Sequence, residues 1–300
     1  MIGKKSATRE QILSRLILES AGEVAEKIKA HEIFVILQGR DDYERSRDQI
    51  KKMNALSVVR GEELFREVTA EYPKALKVPD IKLTRMGQIK VAVMLALSGK
   101  VIKAGDRIVC ATGVASLGGS DSIVVIDTGK EFEIFSSASL PEIPDSVRPD
   151  VFETVLKLGM ELAARGREGK SVGTIFVIGD EDRVLQLSRQ LIINPFKGYS
   201  EEELSIHDPQ LRDAMKEFSA IDGAFVIRGD GVLVTAGRHL NAALEEDDMP
   251  KGLGSRHVAA AGITSLTDAI AIVISESTGD VRIFKKGKIF MEIERPPIGT

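Results

Sequence analysis

The sequence predicts two α/β domains in tandem. Residues 1–145 read as a three-layer α/β domain with a mostly parallel sheet, and residues 146–300 as a mixed-sheet α/β domain. Three observations carry this. Apolar runs of strand length alternate with amphipathic helical stretches through the first half, which is the rhythm of β-α-β layering. A polar segment with two prolines, Glu142-Ile143-Pro144-Asp145-Ser146-Val147-Arg148-Pro149, then interrupts the pattern, as a linker does. Beyond it the rhythm changes, and several strands follow one another with only turns between them.

The elements follow in order. Ile12, Leu16, Ile17, Ala21, Val24 and Ala25 recur at helical spacing within residues 8–30. Residues 31–37 read as a buried strand, 41–52 as a helix, 56–59 as a short strand and 62–71 as a helix. Residues 88–97 form a helix that stops near Gly99, and 106–111 and 122–127 are strands. In the second half, 151–164 is an amphipathic helix and 172–178 an apolar strand. Residues 180–192 read as a helix with Asp180 as its N-cap, and 208–221 as another. Strands 224–227 and 232–234 flank Asp230-Gly231, a hairpin turn signal. Residues 256–268 look helical, and 269–275, 281–285 and 289–293 look like strands.

Composition bounds the function. Apolar residues make up 43% of the chain, enough for packed cores. Lys plus Arg number 41 and Asp plus Glu 45, a formal charge of −4. That balance speaks against a general nucleic-acid binder, which shows a basic excess or stripe, and leaves room for a local basic pocket. The single cysteine, Cys110, lies in an apolar run; it can form no internal disulfide and no zinc cage. A cytoplasmic location is expected. The longest apolar run, residues 91–97, ends at Ser98-Gly99-Lys100 and is too short to span a bilayer. Met1-Ile2-Gly3-Lys4-Lys5 leads into charged residues, so no signal peptide is expected.

Several polar, glycine-bearing clusters interrupt the apolar pattern. Residues 164–171 fit a relaxed phosphate-loop pattern, but a helix precedes them and a strand follows, the reverse of the order that loop needs. Asp222-Gly223-Ala224 stands where a helix gives way to a strand. A carboxylate there can hold a divalent cation or orient a hydroxyl, although Asp-Gly is also an ordinary turn. Gly252-Leu253-Gly254-Ser255-Arg256-His257 opens a helix of small residues. Free N–H groups, the helix dipole and a guanidinium would converge there on one anion, and serine as a plain N-cap is the competing reading. Ser275-Glu276-Ser277-Thr278-Gly279 lies between two strands, as phosphate-facing hydroxyls or as a polar turn. Gly237-Arg238-His239-Leu240-Asn241 has no second ligand at metal spacing, so His239, like His31 and His207, reads as structural, while Leu240 could wall a base. The glycine-rich stretch 113–120 follows a strand; it reads as a plain loop or as a nest for a phosphorylated effector.

In this order and spacing, the four clusters of the second half resemble the catalytic domain of diadenylate cyclases. That family carries Asp-Gly-Ala and, about thirty residues on, Gly-Thr-Arg-His-Arg; here these are Asp222-Gly223-Ala224 and Gly254-Ser255-Arg256-His257-Val258. The resemblance runs through Thr267-Asp268-Ala269 and the Ser275–Gly279 turn. Ser255 keeps the hydroxyl of the family threonine, and Val258 replaces the family arginine. His239-Leu240-Asn241 is closer to the DNA-integrity-scanning branch than to the membrane-bound branch. Residues 1–140 look similar, at fold level, to the C-terminal domain of pyruvate kinase, through residues 101–109 and 113–120. The pairing resembles an archaeal-type cytosolic cyclase with a regulatory or assembly domain in front.

The resemblance implies condensation of two ATP into cyclic di-AMP with release of two pyrophosphates. A ribose 3′-hydroxyl attacks the α-phosphate of a facing ATP, so two catalytic domains meet face to face and self-association is expected. It implies Asp222, Arg256 and His257 as catalytic, with Asp222 positioning the attacking hydroxyl and the metal, Mn²⁺ or Mg²⁺. It implies ATP contacts by Gly223, Ala224, Leu240, Gly254, Ser255, Arg256, His257, Ser275, Glu276 and Ser277. Neither nucleic acid nor a membrane is expected as a partner. Two other readings stay open: an ATP or cyclic-dinucleotide sensor in which Val258 has broken catalysis, and a scaffold whose working part is the first domain.

Overall fold

A computed structural model describes residues 8–114, 118–130, 143–165, 172–241 and 254–294. The chain divides into two compact units, Met1–Glu131 and Phe132–Thr300.

The first unit runs α1 (Arg9–Ile28), β1 (Glu32–Ile36), α2 (Arg40–Met53), β2 (Leu56–Arg60), α3 (Glu62–Glu71), β3 (Ala75–Val78), α4 (Arg85–Ser98), β4 (Arg107–Thr112) and β5 (Ser122–Asp127). Its sheet has the order β3-β2-β1-β4-β5. The first four strands are parallel and β5 is antiparallel to β4. Alternate side chains of these strands face opposite layers. Val35, Leu37, Val59, Val109 and Ala111 meet Leu18 and Ala21 of α1 and Tyr43 and Ile50 of α2, while α4 packs on β3 and β4. A mostly parallel, three-layer domain is therefore what forms. Thr8 and Gln11 close a reciprocal capping box at the start of α1. Strand β3 has no counterpart in the sequence reading: it is four residues long with one buried side chain, Val78, so no alternation marks it. Cys110 is fully buried and its thiol is pushed up by that burial.

The glycine-rich stretch folds back on itself: a Cβ at Gly113 would lie 1.9 Å from the Gly119 carbonyl oxygen. Residues 115–117 of it lie outside the described residues. A cavity of about 590 Å³ adjoins Gly118. Its two arginines are already engaged, Arg40 with Glu67 and Arg45 with the Gly118 carbonyl. Glu10, Asp41 and Asp42 share the wall, so carboxylates outnumber guanidiniums on the described lining, which disfavours an anionic effector.

The second unit runs α5 (Pro149–Arg165), β6 (Thr174–Ile178), α6 (Glu181–Gln186), β7 (Ser188–Gln190), α7 (Pro209–Phe218), β8 (Ala224–Ile227), β9 (Leu233–Leu240), α8 (Ser255–Leu266), β10 (Ile270–Ile274), β11 (Val281–Lys285) and β12 (Lys288–Ile293). The sheet order is β12-β11-β10-β6-β8-β9-β7. Only β6 and β8 pair in parallel, so the sheet is mixed. Ile175, Val177, Ala224, Val226, Ala271 and Val273 face Ala260, Ala261 and Ile263 of α8. On the other face α5 covers β6, β10 and β11. Gly159 of α5 brings that helix close to Ile272 and Ile274. Of the stretch 142–149 read as linker, the described part is built into this unit. Val147 is buried, the Arg148 N–H donates to the Gly229 carbonyl at 3.0 Å, and a Cβ at Gly229 would sit 1.9 Å from the Ser146 oxygen. The phosphate-loop look-alike at 166–171 lies outside the described residues.

The expected helix over 180–192 is corrected. It stops at Gln186, and β7 follows as an edge strand on β9. The reason is Arg238. Its Nη2 donates to the Leu185 and Ser188 carbonyls, both at 2.8 Å, which a continuing helix would need for residues 189 and 192. Asp180 stands at the N-cap position but in left-handed backbone and caps nothing. Its carboxylate accepts instead from the Asp268 N–H at 2.9 Å.

Candidate functional site

Strand directions gather the polar clusters. Strands β6 and β8 run in parallel, and β10 and β9 run against them. The residues before β6 and β8 and those ending β10 and β9 therefore share one edge of the sheet. Gly173, Asp222, Ser275-Glu276 and Arg238-His239-Leu240 all fall there. Helix α8 begins at the same edge. Its N-cap, Gly254, is extended and supplies no side-chain cap, so the first N–H groups keep their donor capacity.

The geometry joins what lies far apart in sequence. Arg256 Nη2 is 3.6 Å from Asp222 Oδ1, and Nη1 donates to Glu276 Oε2 at 2.8 Å. Asp222 and Glu276 are both exposed, with 76% and 62% of the side chain accessible, and Arg256 is 33% accessible. Two carboxylates thus bracket one guanidinium at the mouth of α8. Gly173 makes room for it: a Cβ there would lie 2.8 Å from both Arg256 Nη1 and the Glu276 Cβ. Gly173 was not among the expected site residues, because in sequence it is merely the start of an apolar strand.

His257 sits one residue on and points inward, only 6% exposed. Its Nε2 is 3.0 Å from Arg282 Nη1 on β11. Arg282 in turn pairs with Asp280 at 3.5 Å and, very closely, with its cross-strand neighbour Glu292. Burial, with the Arg282 and Arg256 charges adding to it, pushes the imidazole down to about 4. An unfolded imidazole takes its proton near 6.5. Between those values the unfolded chain binds more protons, so this contribution is fully present above the unfolded value and is lost as pH falls through the folded one. The expected loss is about 3 kcal/mol. Urea unfolding at about pH 7 and about pH 4.5 should show it, and His257→Gln should flatten the difference; equal slopes in the two proteins would contradict it.

The remaining expected residues fall as follows. Gly223 is at φ +105°, and a Cβ there would meet the Gly237–Arg238 backbone at 2.6–2.9 Å. Ala224 and Leu240 are buried in the core, with Leu240 at 5% exposure, so protein atoms already cover the side chain expected to wall a base. Ser255 and Gly254 are exposed at the start of α8. Ser275 is buried, and its hydroxyl accepts from the Thr278 N–H at 3.3 Å and contacts Ser277 Oγ at 3.2 Å, the work of a turn. Ser277 is exposed. His239 is exposed on β9, His31 accepts from the Arg107 N–H through Nδ1, and His207 pairs with Asp150.

Among the described residues no group of three or more His, Cys, Asp or Glu side chains is arranged to hold a metal ion. A hard divalent cation still fits the donors present. Mg²⁺ and similar ions are bound by one or two carboxylates plus substrate phosphates rather than by an all-protein cage, and Asp222 is an accessible carboxylate beside the helix mouth where phosphates would lie.

Comparison with known proteins places the chain in a family. A family model described as the DisA bacterial checkpoint controller nucleotide-binding domain matches residues 161–289, and one described as probable sensor domain DacZ_P matches residues 13–135. A diadenylate cyclase of Methanocaldococcus jannaschii is 32% identical, over 94% of this chain and 97% of that protein. The chain belongs to the diadenylate cyclase family. The activity expected from the motifs is the activity of this family. A diadenylate cyclase of Haloferax volcanii is 37% identical over 69% of this chain and 75% of its own length. A crystal structure of DacA from Staphylococcus aureus aligns with 48% of this cyclase and 87% of that chain, at 26% identity and a TM-score of 0.33. No helix of the described residues is long and apolar enough to cross a membrane.

Proposed function

We propose that this diadenylate cyclase holds one ATP at the edge formed by Asp222, Glu276 and the start of α8, and that two such units face each other for the condensation. The observation that carries it is the meeting of the Asp222 carboxylate with the Arg256 guanidinium, 3.6 Å apart at an uncapped helix N-terminus. Helix N–H groups and a guanidinium form a polyanion cradle. Arg256 exchanges its two carboxylate partners for the triphosphate. Asp222, left facing solvent, orients the 3′-hydroxyl that attacks the α-phosphorus of the opposite nucleotide. The 3′-O–P bond forms as the hydroxyl proton leaves to solvent beside the exposed Asp222 carboxylate and the bond to pyrophosphate breaks, and in-line positioning with charge stabilisation supplies most of the acceleration. A divalent cation, Mn²⁺ or Mg²⁺, held at Asp222 and the phosphates would neutralise the charge that develops there. Among the described residues one unit carries one such cradle, so catalysis requires two copies of the chain, in the cytoplasm where ATP is supplied.

The test is direct. Purified protein is incubated with ATP and Mn²⁺ or Mg²⁺, and cyclic di-AMP is sought by mass spectrometry. Product that scales with the square of enzyme concentration at high dilution supports the paired arrangement; ATP binding without product would leave a sensor. Arg256→Ala should weaken ATP binding by about 1.5–3 kcal/mol, the worth of a charge-assisted contact. Titration calorimetry measures this, and unchanged affinity would remove Arg256 from the phosphate cradle.

A further inference from the structure

Arg282 belongs to none of the motifs, yet its guanidinium decides the state of the buried imidazole at the site. Guanidinium is a donor only and keeps its proton at all ordinary pH. Its Nη1 lies 3.0 Å from His257 Nε2, so that nitrogen must accept and cannot carry hydrogen. The single proton of a neutral imidazole is then on Nδ1. Among the described residues Nδ1 is fully buried and makes no well-formed hydrogen bond, and the acceptor that favours the ring's proton is the Gly254 backbone at the start of α8. The ring is wedged at 6% exposure, with the Phe284 ring centroid 6.1 Å away. The charged groups around it are Arg256 on its own helix, and Arg282 with Asp280 and Glu292 behind it. Position 258, where the family motif has arginine, is valine here; the cation in contact with the imidazole is Arg282 of β11.

We propose that Arg282 is a positioning residue of the nucleotidyl-transfer site: it locks His257 as the neutral Nδ1–H tautomer, so that the ring turns its one N–H to the Gly254 backbone and holds the mouth of α8 in place for a phosphate. Asp280 and Glu292 hold Arg282 in place for this. The phosphate role rests on the nucleotide site described above, while the tautomer does not, and the two are read separately. Nδ1 is fully buried, so its N–H serves the start of α8 and not solvent, as buried donors do.

The full chain carries four histidines, so ¹⁵N-histidine labelling with long-range ¹H–¹⁵N spectra resolves each ring, and His257→Gln assigns the one in question. In the wild-type protein His257 should show a protonated Nδ1 and a bare Nε2 from about pH 8 down to about pH 5. A wild-type ring protonated on Nε2, or on both nitrogens, at neutral pH overturns the proposal without any variant. Arg282→Met should release the ring to the Nε2–H form, and its turnover should fall at least about tenfold with a new acid limb near the ordinary histidine value. Arg282→Lys, which keeps a donor cation, should recover the Nδ1–H spectrum and most of the turnover. A Met variant that keeps the wild-type tautomer and pH profile overturns the assignment. ATP that neither binds nor reacts in the wild type, with the Nδ1–H spectrum present, would refute the nucleotide site and with it the phosphate role, but not the lock.

Discussion

Asp222→Asn is expected to lower cyclic di-AMP formation by roughly 10³-fold or more, the scale on which a group acting at the reacting centre contributes, while ATP binding survives. Asparagine keeps the shape and one acceptor oxygen of the side chain and loses its charge. The variant leaves the local fold intact, because Asp222 is 76% accessible and makes one ion pair, and because Arg256 keeps its 2.8 Å bond to Glu276. What disappears is the charge that orients the hydroxyl and can hold a cation. ATP affinity should hold or rise slightly, since a carboxylate no longer faces the triphosphate. Product by mass spectrometry and affinity by calorimetry, on the same preparation, separate the two effects. Turnover near that of the wild type would remove Asp222 from the reaction.

Gly223→Ala should disable the same edge by another route. At φ +105° an L side chain is strained, at about 1–3 kcal/mol. The new Cβ would also stand 2.6 Å from the Gly237 carbonyl carbon and 2.7 Å from the Arg238 nitrogen. These are backbone atoms of β9, held by pairing with β7 and β8, so neither can yield cheaply. A total of about 3–5 kcal/mol corresponds to a melting temperature about 10 °C lower for a unit of this size. Thermal melting followed by circular dichroism checks it, and an unshifted midpoint would contradict it. The space beside Gly223 is thus filled by the neighbouring strand. The smallness of this residue serves the pairing of β8 with β9.

Much of the site was legible because its parts interrupt apolar periodicity. Asp222-Gly223 and Gly254-Ser255-Arg256-His257 stand out as polar, glycine-bearing breaks, and the strand directions bring both to one sheet edge. What was illegible depends on partners distant in sequence. Residues 180–192 carry helical spacing, but helix tendency yields where Arg238, some fifty residues away, takes the carbonyls. Arg282 reads as an ordinary outward charge in an alternating strand, and only the fold places His257 against it. Gly173 reads as a strand opening until the Arg256 guanidinium is seen lying over it. Leu240 was read as a possible wall for a base, and nothing local signals that its side chain packs in one cluster with residues of β8 and α8.

The seating of Ser146 against Gly229 fixes where an independently folding catalytic fragment can begin. The backbone there approaches so closely that no side chain fits between, and Val147 fills the hollow beside Gly179. A fragment starting at Pro149, the first residue of α5, would lack this plug and open the turn after β8 to water. One starting at Ile143 would carry its own stopper. The proline-bearing stretch is better regarded as a latch on the second body than as a free tether.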